Sequence, residues 1–152
     1  MIRRPPRSTQ GVSSAASDVY KRQPVSKLFF VMISTDPDVD PTKCGVGLAC
    51  AAQAVSEGHE VNVFFAAHAV KLLQEKYFED FANVLPSGVA RNFLNTVLEG
   101  STGVHCSTGS QAGIGVTPEN AQDVLIGGYE LTWNGPPGVV ALSSAADVTL
   151  AF

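Results

Sequence analysis

The chain has 152 residues, with 10 Lys and Arg against 14 Asp and Glu, a formal net charge of −4 and 45% apolar content. That size suits one core, the acid excess offers no basic footprint for nucleic acid, and no apolar run approaches the roughly 20 residues needed to cross a bilayer. Cys44, Cys50 and Cys106 are an odd number of cysteines without a secretion signal, which points to free thiols in a reducing, cytoplasmic compartment.

Met1–Gln23 differs in character from the rest of the chain. Met1–Thr9 and Ser13–Gln23 are what two common primers of a sequencing library encode, with Gln10-Gly11-Val12 where the variable index falls. The segment reads as adapter-derived and non-native, and as disordered because its apolar content is too low to offset ordering entropy. A transit peptide would show amphipathic spacing, and a signal peptide an apolar core, and the segment has neither. Removing those 23 residues leaves 129, read as one domain over 24–152. Five of the basic residues and one acid go with them, so the net charge becomes −8.

Lys27–Ser34 is a short apolar run of the kind buried on both faces in a parallel sheet. Thr35–Pro41 is a turn-rich loop, and Asp40 or Thr42 caps the next helix, with Pro41 near its first turn. Within Cys44–Glu57, Leu48, Ala51, Ala52 and Val55 recur at helical spacing, and Gly58 supplies the stop. Glu60–Phe65 is a second strand, and this strand–helix–strand unit predicts a parallel sheet with a right-handed crossover.

His68–Phe81 predicts one helix with Val70, Leu73 and Tyr77 on a face, and Val84–Gly88 breaks it. Val89–Leu98 predicts an amphipathic helix, with Val89, Phe93, Leu94 and Val97 inward and Gly100 ending it. Gly103–Cys106 is a third strand, followed by the small polar loop Ser107–Gly113. Thr117 and Pro118 read as cap and first position of a short helix ending near Ile126 and Gly127. Tyr129–Trp133 gives a fourth strand, Gly138–Ser144 a small helix or turn, and Asp147–Phe152 the last strand.

Cys106 carries the strongest chemical signal. A thiol at the C-terminal end of a parallel strand, beside a Gly-rich turn, stands where open α/β sheets place ligands and chemistry. The competing reading is a small buried hydrophobe. His105 adjoins it, but strand alternation sends that ring to the opposite face. Cys44 opens the apolar stripe of its helix and reads as core, with a resolving thiol as the alternative, since its loop opens at the same sheet edge. Cys50 reads as structural.

Other patterns are weaker. No His or Cys pair has zinc-ligand spacing, so no metal is expected. Asp36, Asp38 and Asp40 lack the Gly and Glu of a calcium loop and read as a solvated turn. Gly45-Val46-Gly47 copies part of a dinucleotide fingerprint without its third Gly. The Gly109–Gly113 loop offers backbone amides to a phosphate or flavin but lacks the Lys of a P-loop. Tyr129 and Trp133 read as interface or core.

An opening strand with its Asp36-Pro37 loop, a helix ending Glu57-Gly58-His59, and the strand Val61–Phe65 succeed one another over the first half of 24–152. Cys106 ahead of Gly113-Ile114, and the closing Ala146–Phe152, complete the pattern. In this order and spacing the chain resembles the DsrE/DsrF-like family of small sulfur-relay proteins, which includes the TusD-like subunits. The resemblance implies a three-layer flavodoxin-like domain, with a mainly parallel sheet of about five strands, assembled into trimers or hexamers without a cofactor. It also implies that a cysteine after the third strand carries sulfur as a persulfide, and Cys106 is the position that matches. Ser107, Thr108, Gly109, Ser110 and Gln111 would form its supporting loop, with Cys44 the candidate second thiol and thiol or persulfide proteins as donor and acceptor. Many members carry Arg or Lys in this loop; here only backbone amides of Gly and Ser stand ready to favour a thiolate.

The rival readings are a non-catalytic DsrE-like oligomeric binding module with Cys106 merely packed, and a phosphorylated-ligand or flavin binder using Gly109–Gly113. Exposure separates the first two. A reachable sulfur favours relay, and a sealed one favours the module.

Overall fold

The computed structural model describes residues 26–85 and 88–152, so the adapter reading of Met1–Gln23, and Pro86 and Ser87 of the expected break, lie outside the described residues. The apolar runs pair as β1 (Leu28–Ile33), β2 (Glu60–Phe65), β3 (Gly103–Ser107), β4 (Leu131–Asn134) and β5 (Val148–Ala151). All neighbours are parallel, in the order β4-β3-β2-β1-β5. The helices are α1 (Pro41–Ser56), α2 (Glu75–Phe81), α3 (Val89–Gly100), α4 (Thr108–Gly113), α5 (Ala121–Val124) and α6 (Pro136–Ala145).

Strand alternation divides the sheet into two faces. Val31, Ile33, Val63, Phe65, Val104 and Cys106 pack in the main core, against Leu48 and Ala51 of α1 and Leu94 and Val97 of α3. The opposite face carries Phe30 and Phe64 under Val139 and Leu142 of α6. Helix, sheet and helix make the three-layer flavodoxin-like arrangement that the resemblance implies. Asp40 proves to be the cap of α1: its side chain accepts from the Lys43 N–H at 3.0 Å, with Pro41 in the first turn. Gly58, at φ +88, takes the left-handed conformation just beyond that helix.

Three expectations are corrected. His68–Phe81 is not one helix: a 3-10 helix, Ala67–Leu73, precedes α2, and Gln74 between them is extended at φ −82, ψ 130. Gln74 pairs with Leu125 in an antiparallel bridge, and the Leu73 carbonyl accepts from Ile126 at 2.8 Å. A tertiary contact thus takes backbone groups that a continuous helix would have used. The helix placed after Thr117 is only the four residues of α5. Asn120 closes a turn ahead of it, its Oδ1 accepting from Thr117 at 2.9 Å and its Nδ2 donating to Gly115 at 3.0 Å. Lastly, Ser107–Gly113 is not an open loop. Ser107 ends β3 and the rest is α4.

Candidate functional site around Cys106

Alternation along β3 places Val104 and Cys106 in the main core and His105 on the α6 side, as the sequence predicts. His105 stacks on Phe64 at 6.0 Å, and its Nε2 lies 3.2 Å from Asn62 Oδ1. Burial pushes its pKa down. Cys106 occupies the fourth position of five in β3, at the C-terminal edge of the sheet, and pairs with Phe65 of β2 and Trp133 of β4.

The elements around the thiol lock together locally. Ser107 caps α4, its Oγ accepting from the Ser110 N–H at 3.1 Å. The Ser110 Oγ in turn accepts from the Ala67 N–H at 2.9 Å. Ala67 sits at φ 52, a conformation unusual outside Gly, so that bond helps to hold a strained turn after β2 against α4. Thr108 and Gly109 are exposed, while Gln111 turns inward and is fully buried. Because the Ser110 amide is already bonded to Ser107, the run is a closed helical turn in place of the anion-binding loop read at Gly109–Gly113.

Cys106 itself is sealed, with 0% exposure. Burial pushes its pKa from 9.0 up to about 11, and the nearby Gln111 amide partly offsets that rise. The amide lies close enough to favour the thiolate, yet neither of its polar atoms completes a hydrogen bond of acceptable geometry. The contact is an unfinished polar interaction and not a made bond. Burial also pushes the Tyr129 phenol up, with the Cys106 charge adding to the rise, and its hydroxyl is likewise buried without a partner. In the resting fold the thiol is therefore protonated and shielded from solvent.

Cys44 has separate surroundings. It is fully buried in the first turn of α1, and its thiol donates to the Thr35 carbonyl at 3.2 Å. Burial, then Asp40 and Asp36, push its pKa up to about 11. The nearby titrating phenol is Tyr77 for Cys44 and Tyr129 for Cys106. All three cysteines are free, and Cys50 is half-buried.

Sequence reasoning missed two groupings. Lys71 bridges Asp36 at 3.2 Å and Asp38 at 2.8 Å, His68 lies 3.3 Å from Asp36, and the Tyr77 hydroxyl bonds Asp38. The turn read as merely solvated is thus tied to the 3-10 helix and α2, a contact with no local sequence signal. Among the described residues no cluster has the composition of a metal site, and no helix is long and apolar enough to cross a membrane. The second missed feature is the pairing of the Gln111 amide with the Cys106 thiol, which depends on α4 forming.

No family model matches the chain, and no curated protein matches it. Its fold does match a solved structure, that of the ychN protein from E. coli. The TM-score is 0.60 over 84% of this chain and 100% of that one, at 13% identity. At this identity the likeness shows the α/β fold alone.

Proposed function

We propose that this chain is a DsrE-like sulfur carrier, which accepts and passes persulfide sulfur through Cys106 as part of a cytoplasmic homo-oligomer. The observation that carries the reading is the place of the thiol: at the C-terminal edge of β3, faced by a buried amide with an uncompleted hydrogen bond. Open α/β folds keep their chemistry at this edge. The donor and acceptor are thiol or persulfide proteins. In acceptance, the Cys106 sulfur attacks the terminal sulfur of a donor persulfide, whose S–S bond breaks, and the donor thiolate leaves with the proton that Cys106 gave up. In delivery, an acceptor thiolate repeats the same exchange on the Cys106 persulfide. Both steps need a conformation more open than the resting fold, because the thiol is sealed and held protonated.

That seal favours the second reading, an oligomeric binding module with Cys106 as packing. The helical closure of Ser107–Gly113 counts against the phosphate or flavin reading. Peptide mass spectra after incubation with a persulfide donor separate the first two. One added sulfur on Cys106, absent from Cys106→Ser, is the result expected of a carrier. An unmodified Cys106 in folded protein would leave the binding module as the better account.

A further inference from the structure

Gln111 is 0% exposed, and both its Oε1 and Nε2 are unpartnered. The Tyr129 hydroxyl is buried and unpartnered as well, and it feels the charge of Cys106. Buried polar groups in proteins are nearly always matched, so three unmatched atoms around one sulfur call for a chemical explanation. Together they offer donors and an acceptor to whatever extends from that sulfur. A persulfide is such a group. Its anionic terminal sulfur accepts from the Gln111 N–H and the Tyr129 O–H, and its protonated form donates to Gln111 Oε1.

A groove adjoins one of these residues, Tyr129. Trp133 is the register partner of Cys106 on β4, so its side chain lies on the same face of the sheet. Trp133 and Tyr129 both line this groove of about 240 Å³ with Leu125, Ile126 and Leu131. Its lining includes the polar Gln122 but no charged side chain, and the volume falls below the usual range for drug-sized ligands. It suits a short, uncharged substituent. We infer that, in the opened conformation, this groove admits a small uncharged persulfide to Cys106 as an alternative to a protein donor, and that the Gln111 carboxamide and Tyr129 hydroxyl hold the sulfur it delivers. The inference rests on the sulfur-carrier reading. The step balances: the Cys106 S–H loses its proton, a new S–S bond forms, the donor S–S bond breaks, and the departing thiolate takes up the proton.

The test loads the full chain with a short-chain alkyl persulfide, with glutathione persulfide as a bulky charged comparison, or with a protein persulfide. Gln111→Met, Tyr129→Phe and Trp133→Ala are run beside the wild type, each checked for an unchanged thermal transition. Wild type should load Cys106 faster from the alkyl donor. Gln111→Met and Tyr129→Phe should load yet lose the sulfur about tenfold faster, the effect of one hydrogen bond to a charged group. Trp133→Ala should erase the donor preference. Wild-type loading with equal sulfur lifetimes in the variants, or with no donor preference, overturns the inference alone. Loading of the wild type by a protein persulfide but by neither small donor overturns the inference alone, and no loading by any of the three overturns the carrier reading as well.

Discussion

Alkylation of the folded chain measures how firmly Cys106 is closed. Its pKa moves from 9.0 to about 11. At pH 7.5 the reactive thiolate therefore falls from about one part in thirty to about one part in three thousand, roughly a hundredfold. Zero exposure slows the reagent further. Iodoacetamide labelling, with peptide mass spectra taken over time, should show Cys106 reacting at least about a hundredfold slower in the fold than in denaturant. Cys44, with the same rise to about 11, should behave alike. The sign for stability has the same cause. Burial holds both thiols protonated in the fold, so the unfolded chain releases their protons first as pH rises. Each contribution is intact below about pH 9 and is lost towards pH 11, by about 3 kcal/mol per thiol at most. Folded-state labelling of Cys106 within about tenfold of the denatured rate would refute this reasoning.

Packing and capping set the other expected outcomes. Leu94→Ala removes a fully buried side chain where α3 meets α1 and the sheet, and should cost about 2–5 kcal/mol in denaturant melts. Asp40→Ala removes the cap of α1 and should cost about 1 kcal/mol in the same assay. Lys71→Met should raise the pKa of Asp38 in NMR titrations, and that of Asp36 less. The Asp38 backbone N–H does most to hold Asp36 down, while the lysine, which hydrogen-bonds both carboxylates, is the largest lowering influence on Asp38. Any stability these carboxylates contribute is present above their ordinary range and disappears as pH falls through the lowered values.

The parallel sheet was readable because its strands are short, nearly continuous apolar runs. Glu60–Phe65 matches its expected bounds, and β1 and β5 sit within theirs. The side of the sheet taken by Cys106 and by His105 was set by period-two alternation alone. The break at Gln74 was not readable, since the bridge to Leu125 joins residues distant in sequence. Nor was α4, because Thr108-Gly109-Ser110 has poor helix propensity and helical form here depends on the Ser107 cap. The site shows the same division. The edge position of Cys106 was legible, whereas its sealing and its approach by Gln111 arise only when α4 and the neighbouring core close over β3.

The most direct test of a carrier is delivery of sulfur as well as its acceptance. Protein loaded with isotopically labelled sulfur on Cys106 is freed of donor, mixed with a thiol acceptor, and both species are weighed by mass spectrometry. The account predicts that labelled sulfur leaves Cys106 and appears as a persulfide on the acceptor, while Cys106→Ser delivers none. Label that never reaches Cys106, or that stays there indefinitely in the presence of acceptor, would contradict it.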